Sequence, residues 1–141
     1  MRAGLEASVV LAGRVDDMPG LLGALDIVAT LSGGSVMFEA MASGKAVLSV
    51  RADGLHSAHT RHDETAWCVT TGQAQEAAAG LARLMDDAAL RARLGAAGRT
   101  WVRRELGVER MVAQTVAVYE QLLAPALSQA QRIGAEATKP A

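Results

Sequence analysis

Residues 31–50 read Leu31-Ser32-Gly33-Gly34-Ser35-Val36-Met37-Phe38-Glu39-Ala40-Met41-Ala42-Ser43-Gly44-Lys45-Ala46-Val47-Leu48-Ser49-Val50. The stretch parses as the end of a strand, a Gly-Gly turn, a short helix over about Ser35 to Ser43, a stop at Gly44, and a new strand. Glycine accepts the left-handed backbone that ends a helix, so Gly44 suits the position after the helix cap. Ser32-Gly33-Gly34-Ser35 has the composition an anionic ligand uses. Small residues let the backbone approach closely, and the first helical turn offers unpaired N–H groups at the positive end of the helix dipole. A ligand held there sits at the C-terminal end of a parallel strand, where open α/β sheets bind their ligands.

Working outward, Ser8-Val9-Val10-Leu11-Ala12-Gly13 reads as a buried strand. Asp16-Asp17-Met18-Pro19 opens a helix with a capping carboxylate and an early proline, and Leu21, Leu22 and Leu25 continue it. Asp26–Leu31, Ala46–Val50 and Ala66–Thr70 supply three further strands, with a polar loop from Arg51 to Glu64 before the last. Beyond Gly72 the pattern is helical throughout. One helix runs over Gln75–Met85. A second, capped by Asp86 or Asp87, carries Leu90, Leu94, Ala97 and Trp101. A third, from Val108 to Ala124, carries Val112, Val116, Tyr119 and Leu123. Pro125 should end or kink it, and the tail from 125 to 141 should fray. The alternation predicts an α/β fold: a partial Rossmann-like parallel sheet of about four strands with flanking helices and a helical C-terminal segment. The strand at Ser8–Gly13 should pair directly with Asp26–Leu31, or leave an edge that recruits another chain.

Composition narrows the function classes. The 141 residues carry a net charge of −1 and are half hydrophobic, which gives no electrostatic reason to expect nucleic acid or an acidic membrane surface. The single Cys68 excludes an internal disulfide. No apolar run reaches the roughly 20 residues that cross a bilayer, and Glu6 and Arg14 bound a run too short for a signal peptide, so a cytoplasmic protein is expected. His56, His59 and His62 stand three apart, but with no second ligand cluster a polar surface loop is the better reading than zinc, and no metal is expected. The arginines at 91, 93, 99, 103, 104 and 110 make a basic run, most of which reads as a solvated helix face opposite the Leu90–Trp101 stripe, with a phosphate or membrane-surface role as the minor alternative. Trp101 and Tyr119 sit on apolar stripes and are expected in the core. No serine is placed with a histidine as a nucleophile set.

Glu39-Ala40-Met41-Ala42-Ser43-Gly44-Lys45-Ala46-Val47 resembles the "E-A-M-A-x-G-x-P-V" segment of retaining GT-B glycosyltransferases of the family-4 type. The similarity spans roughly Leu5 to Leu123. Val10 to Val15 and the leucine-rich helix ending at Asp26 resemble "V-x-x-x-G-x-V … L-L-x-x-A-D". Leu31-Ser32 stands at "P-S", Asp86 to Gly95 resembles "D-x-x-L-R-x-x-L-G", and Val118 to Leu123 resembles "Y-x-x-L-L". Five pieces in order and near register carry far more weight than any one.

The resemblance implies the C-terminal, donor-binding domain of a two-domain sugar transferase, here over residues 1–124. Its substrate would be a UDP- or GDP-linked sugar, with no further cofactor. Glu39 would match the family's second motif glutamate, which holds the nucleotide ribose. Gly33, Gly34, Ser35 and Val36 would line the diphosphate and sugar through their amides, and Arg14 and Val15 would lie beside the base. The bland alternative for Glu39 is an acid favoured by the helix dipole; a capping box with Ser35 would need the acid at Phe38.

Three departures bear on function. The family's first glutamate would fall at Leu31, and the loop to Glu39 is about four residues short. Ala66 replaces a glycine of the family's "G-x-L-V" strand. The match also begins partway through the donor domain, without the Arg and Lys that neutralise the departing diphosphate and without the acceptor domain. Independent catalysis is therefore not expected, and no catalytic residue is assigned. An upstream segment or a separate chain would have to supply those parts. Two other readings compete: a non-catalytic module that binds a nucleotide or a partner, and a nucleotide-sugar epimerase-like fragment.

Overall fold

The structure is a computed structural model and describes residues 4–5, 7–31, 34–51, 59–70 and 72–137. Its elements are α1 (Met18–Ala24), β1 (Ile27–Thr30), α2 (Ser35–Ala42), β2 (Ala46–Arg51), β3 (Trp67–Thr70), α3 (Ala74–Asp86), α4 (Ala88–Glu105) and α5 (Val108–Ala137). They fall into two compact units, Met1–Thr100 and Trp101–Ala141.

In the first unit the three strands form one parallel sheet in the order β1-β2-β3, with Ile27 opposite Ala46, Thr30 opposite Ser49, and Ser49 opposite Cys68. Because side chains alternate across a sheet, each face collects every second residue. One face contributes Ala46, Leu48 and Val69 to a core with Leu84, Leu90 and Leu94, flanked by Ile27, Val50, Trp67, Ala77 and Leu81. The other face lines up Thr30, Ser49 and Cys68 in one row. There the Ser49 hydroxyl donates to Met37 Sδ at 3.5 Å, which places α2 over that face. Helices on both faces account for the near-continuous burial of Ala46–Ser49, as a parallel sheet requires.

The connections follow from local chemistry. Asp17 accepts the Gly20 N–H at 2.9 Å, and Pro19 stands in the first turn of α1. Gly44 ends α2 at φ +72°, where its N–H reaches the Met41 carbonyl (2.9 Å) and the Lys45 N–H the Ala40 carbonyl (3.0 Å), a Schellman closure. Asp87 sits extended between α3 and α4 and caps α4 by accepting the Leu90 N–H at 2.8 Å.

Several expectations need correction. Ser8–Gly13 is not a strand and does not pair with β1, so among the described residues the sheet has three strands. Residues 9–15 have no ladder partners, Gly13 among them is in the left-handed region at φ +64°, and Val10 and Leu11 are about nine-tenths exposed. A β-branched run supplies propensity, but a strand also needs a neighbour's hydrogen bonds and a surface to bury against. Tyr119 is not core: with Val112, Val116 and Leu123 it lies exposed along α5. That helix continues past Pro125 to Ala137. Pro125 has no N–H to donate to the carbonyl of Gln121, which belongs to an exposed residue. No helix among the described residues is long and apolar enough to cross a membrane.

Candidate functional site

The chain leaves β1 at Thr30, passes Leu31, and enters α2 at Ser35, so the start of α2 stands at the C-terminal end of a parallel strand. Gly34 is the N-cap, at φ +107° and ψ 176°, with no side chain capping the helix. That backbone geometry is open to glycine and strained for other residues. A Cβ added at Gly34 would meet nothing within 4 Å. The first turn of α2 has no side-chain cap, and although the Met37 N–H reaches the Gly34 carbonyl at 3.3 Å, a helix start of this kind can hold an anion.

Gly34, Ser35 and Val36 share this start. Glu39 lies one turn further on, exposed, and forms no ion pair among the described residues. Gly33 lies outside the described residues. Arg14 and Val15 belong to the segment before α1. Arg14 is solvent-exposed and paired with Asp16 (Nε to Oδ1, 3.1 Å), and Val15 is half-buried. The structure thus gathers four of the seven expected residues onto one element and leaves the other described pair on another.

A neighbouring feature had no singled-out residue in the sequence. A cavity of about 280 Å³ opens across the C-terminal ends of all three strands, lined by Leu31, Val50, Thr70, Gly72, Gln73, Ala74 and Ala77. Glu76 fixes one wall of this region by accepting the Thr70 N–H at 2.9 Å, which ties the end of β3 to the first turn of α3. The signal that could have found it was positional, since Gln73 closely follows a parallel strand that ends at Thr70, as Ser35 follows β1.

The described histidines have other contacts. His56 lies outside the described residues, the His59 ring packs edge-on against Phe38 at 5.6 Å, and His62 Nδ1 accepts the Cys68 N–H at 3.2 Å. No group of three or more metal-ligating side chains occurs among the described residues. The arginine run is less uniform than a solvated face. Arg91 donates to the carbonyls of Leu84 and Met85 (2.7 and 2.8 Å), and Arg93 bonds the carbonyl and carboxylate of Asp63.

The sheet with helices on both faces, and the glycine-led helix start at its C-terminal end, are now joined by sequence kinship. The family model for glycosyl transferases group 1 matches residues 2–101. The chain belongs to that family. Its fold is the C-terminal, Rossmann-like half of the GT-B architecture, as solved relatives show. Sucrose-phosphate synthase from Thermosynechococcus elongatus is 28% identical with a TM-score of 0.69, over 74% of this chain and 27% of that one. Anabaena Alr3699/HepE in complex with UDP and glucose is 27% identical with a TM-score of 0.73, over 82% and 33%. The C-terminal domain of the group 1 protein LpcC from Francisella tularensis is 26% identical with a TM-score of 0.59, over 71% and 53%. The chain therefore spans about a third or less of the two longer relatives and about half of the isolated domain. A comparison with curated protein sequences returned no match.

Proposed function

We propose that this chain provides the donor half of a glycosyl-transfer site and binds a nucleoside-diphosphate sugar, UDP- or GDP-linked, at the start of α2. The observation that carries the reading is the uncapped N-terminus of α2 behind Gly34 at the C-terminal end of β1, with Glu39 one turn away. The diphosphate takes the first-turn amides, where partial positive charge and free donors coincide. The Glu39 carboxylate, an acceptor of hydrogen bonds, takes the ribose hydroxyls. Arg14 and Val15 lie toward the base in this reading, and Gly33 continues the amide cradle. Support comes from family membership and from the relative solved with UDP and with UDP-glucose.

The transferred group is a hexosyl unit, and the chemistry has two requirements beyond these residues. Positive charge must meet the negative charge that builds on the departing nucleotide, and an acceptor hydroxyl must stand in line with the anomeric carbon. This reading gives the present residues binding and orientation of the donor, and assigns those two roles to groups outside them.

Thermal melts with millimolar UDP, GDP and their sugars test the proposal. A ligand that binds only the folded chain adds about 2.7 kcal/mol at 100 times its dissociation constant. The expected result is a shift with one nucleotide series that Glu39→Ala removes while its own ligand-free melt stays within about 0.5 kcal/mol of the parent, as for an exposed site. A cooperative melt that no nucleotide moves overturns the donor site.

A further inference from the structure

At the opposite end of the strands from the start of α2, an open cavity of about 400 Å³ is lined by Asp63, Trp67, Arg83, Asp87, Ala89, Leu90 and Arg93. Trp67 is the first residue of β3, and Asp63 precedes it, so this cavity is at the N-terminal end of the sheet, whereas Glu39 serves the C-terminal end. It belongs to no part of the donor reading.

Its floor is fixed. The Trp67 indole lies against α3 at Gly80, where an added Cβ would come within 2.6 Å of Nε1. Its ring also meets the His62 ring edge-on at 4.7 Å. His62 is itself oriented by accepting the Cys68 N–H, so the aromatic pair is held before any ligand arrives. Leu90 and Ala89 extend the apolar surface along the first turn of α4.

The rim carries two opposite-charge pairs. Arg83 faces Asp87 at 3.5 Å, and Arg93 grips Asp63 through both its carbonyl and its carboxylate. Two cations and two anions leave the lining formally neutral. A polyanion would meet Asp63 and Asp87, and a polycation would meet Arg83 and Arg93. Hydroxyl groups both donate and accept, so a polyhydroxylated neutral ligand can use all four groups at once. Exposed ion pairs hold little net energy, so sharing their hydrogen bonds with such a ligand costs little. An aromatic and aliphatic floor beneath a rim of planar polar groups also suits the two-sided chemistry of a pyranose, which has an apolar C–H face and a hydroxylated edge. The volume lies in the range of small-ligand pockets, about 300–1,000 Å³.

We propose that this cavity binds a neutral saccharide of one or two rings, as a glycan-holding site separate from the donor site. The inference does not depend on the donor reading, and the two fail separately.

The test is an NMR titration of the whole chain, following the two indole N–H signals of Trp67 and Trp101, assigned with Trp101→Phe. Glucose, maltose, cellobiose and lactose are the probes, with inorganic phosphate and spermine as charged controls. The expected result is a saturable shift of the Trp67 signal by at least one saccharide, with a dissociation constant on the order of 1–10 mM. Ala89→Phe, which fills the cavity from an exposed position, and Arg93→Ala, which empties one side of the rim, should each weaken it about tenfold or more. Glu39→Ala should leave it unchanged. No saccharide response up to about 100 mM overturns the proposal, as does a response both cavity variants preserve, or binding of phosphate or spermine in place of sugar.

Discussion

Gly95 of α4 sits so close to the end of α2 that a Cβ on it would lie 2.1 Å from the carbonyl oxygen of Gly44 and 2.9 Å from its carbon. The obstacle is backbone, and it belongs to the left-handed residue that terminates the Glu39 helix, so it cannot swing aside. Two effects compete in Gly95→Ala. Alanine gains about 1 kcal/mol of helix propensity over glycine, whereas overpacking against an immovable backbone costs about 1–3 kcal/mol. The clash wins because the approach is far inside van der Waals contact. The variant should unfold at a lower denaturant midpoint with an unchanged slope, and a midpoint equal to or above the parent's would refute this packing.

Gly34 poses the reverse case. Space around it is open, but its φ of +107° with ψ 176° lies where a side chain is strained. Gly34→Ala should therefore cost about 1–3 kcal/mol through conformation alone, or relieve the strain by moving the start of α2. Either way nucleotide affinity should fall further than stability accounts for. Parallel denaturant and nucleotide titrations read the two separately, and a Gly34→Ala variant with parental affinity would show that the amide cradle does not depend on this turn.

What could be read in advance divides along the same line between local and tertiary causes. Gly44, Asp17 with Pro19, and the three paired strands were legible because turn and cap chemistry is local. The helix start before Glu39 was legible for the same reason. Ser8–Gly13 failed because strand propensity does not state whether a neighbouring strand exists. Tyr119 failed because an apolar stripe shows which face of a helix wants cover and not whether cover is present. Gly80 and Gly95 were invisible as close-contact positions, since only the fold brings Trp67 and Gly44 against them. The charge balance of the second cavity was hidden likewise, because Arg93 and Asp63 are 30 residues apart.

Thr30 is 4% exposed at the end of β1, and its hydroxyl has no hydrogen-bond partner among the described residues. Its row neighbour Ser49 is also buried but reaches the Met37 sulfur. A buried polar group without a partner costs about 1–3 kcal/mol, and valine matches the shape of threonine and suits a strand. Thr30→Val should raise stability by about 1 kcal/mol, and Ser49→Val should not match it because a bond is lost there. A drop in the melting temperature of Thr30→Val would show that the hydroxyl has a role the fold does not account for.

Asp87 does two things with two oxygens: Oδ1 accepts the Leu90 N–H at 2.8 Å, and Oδ2 faces Arg83 at 3.5 Å. The two functions separate by substitution. Asparagine retains an acceptor for the cap and loses the charge, whereas alanine loses both. A capping residue replaced by alanine costs about 0.5–2 kcal/mol, and an exposed ion pair contributes about 0–1 kcal/mol. Arg83 is well exposed, so the lower part of that second range applies. Asp87→Ala should therefore destabilise by about 1 kcal/mol and keep most of that loss in high salt, while Asp87→Asn should lose only a few tenths and converge on the parent in high salt. Equal losses in the two variants at low salt, both vanishing at high salt, would mean that the pair with Arg83, and not the cap on α4, holds the junction of α3 and α4.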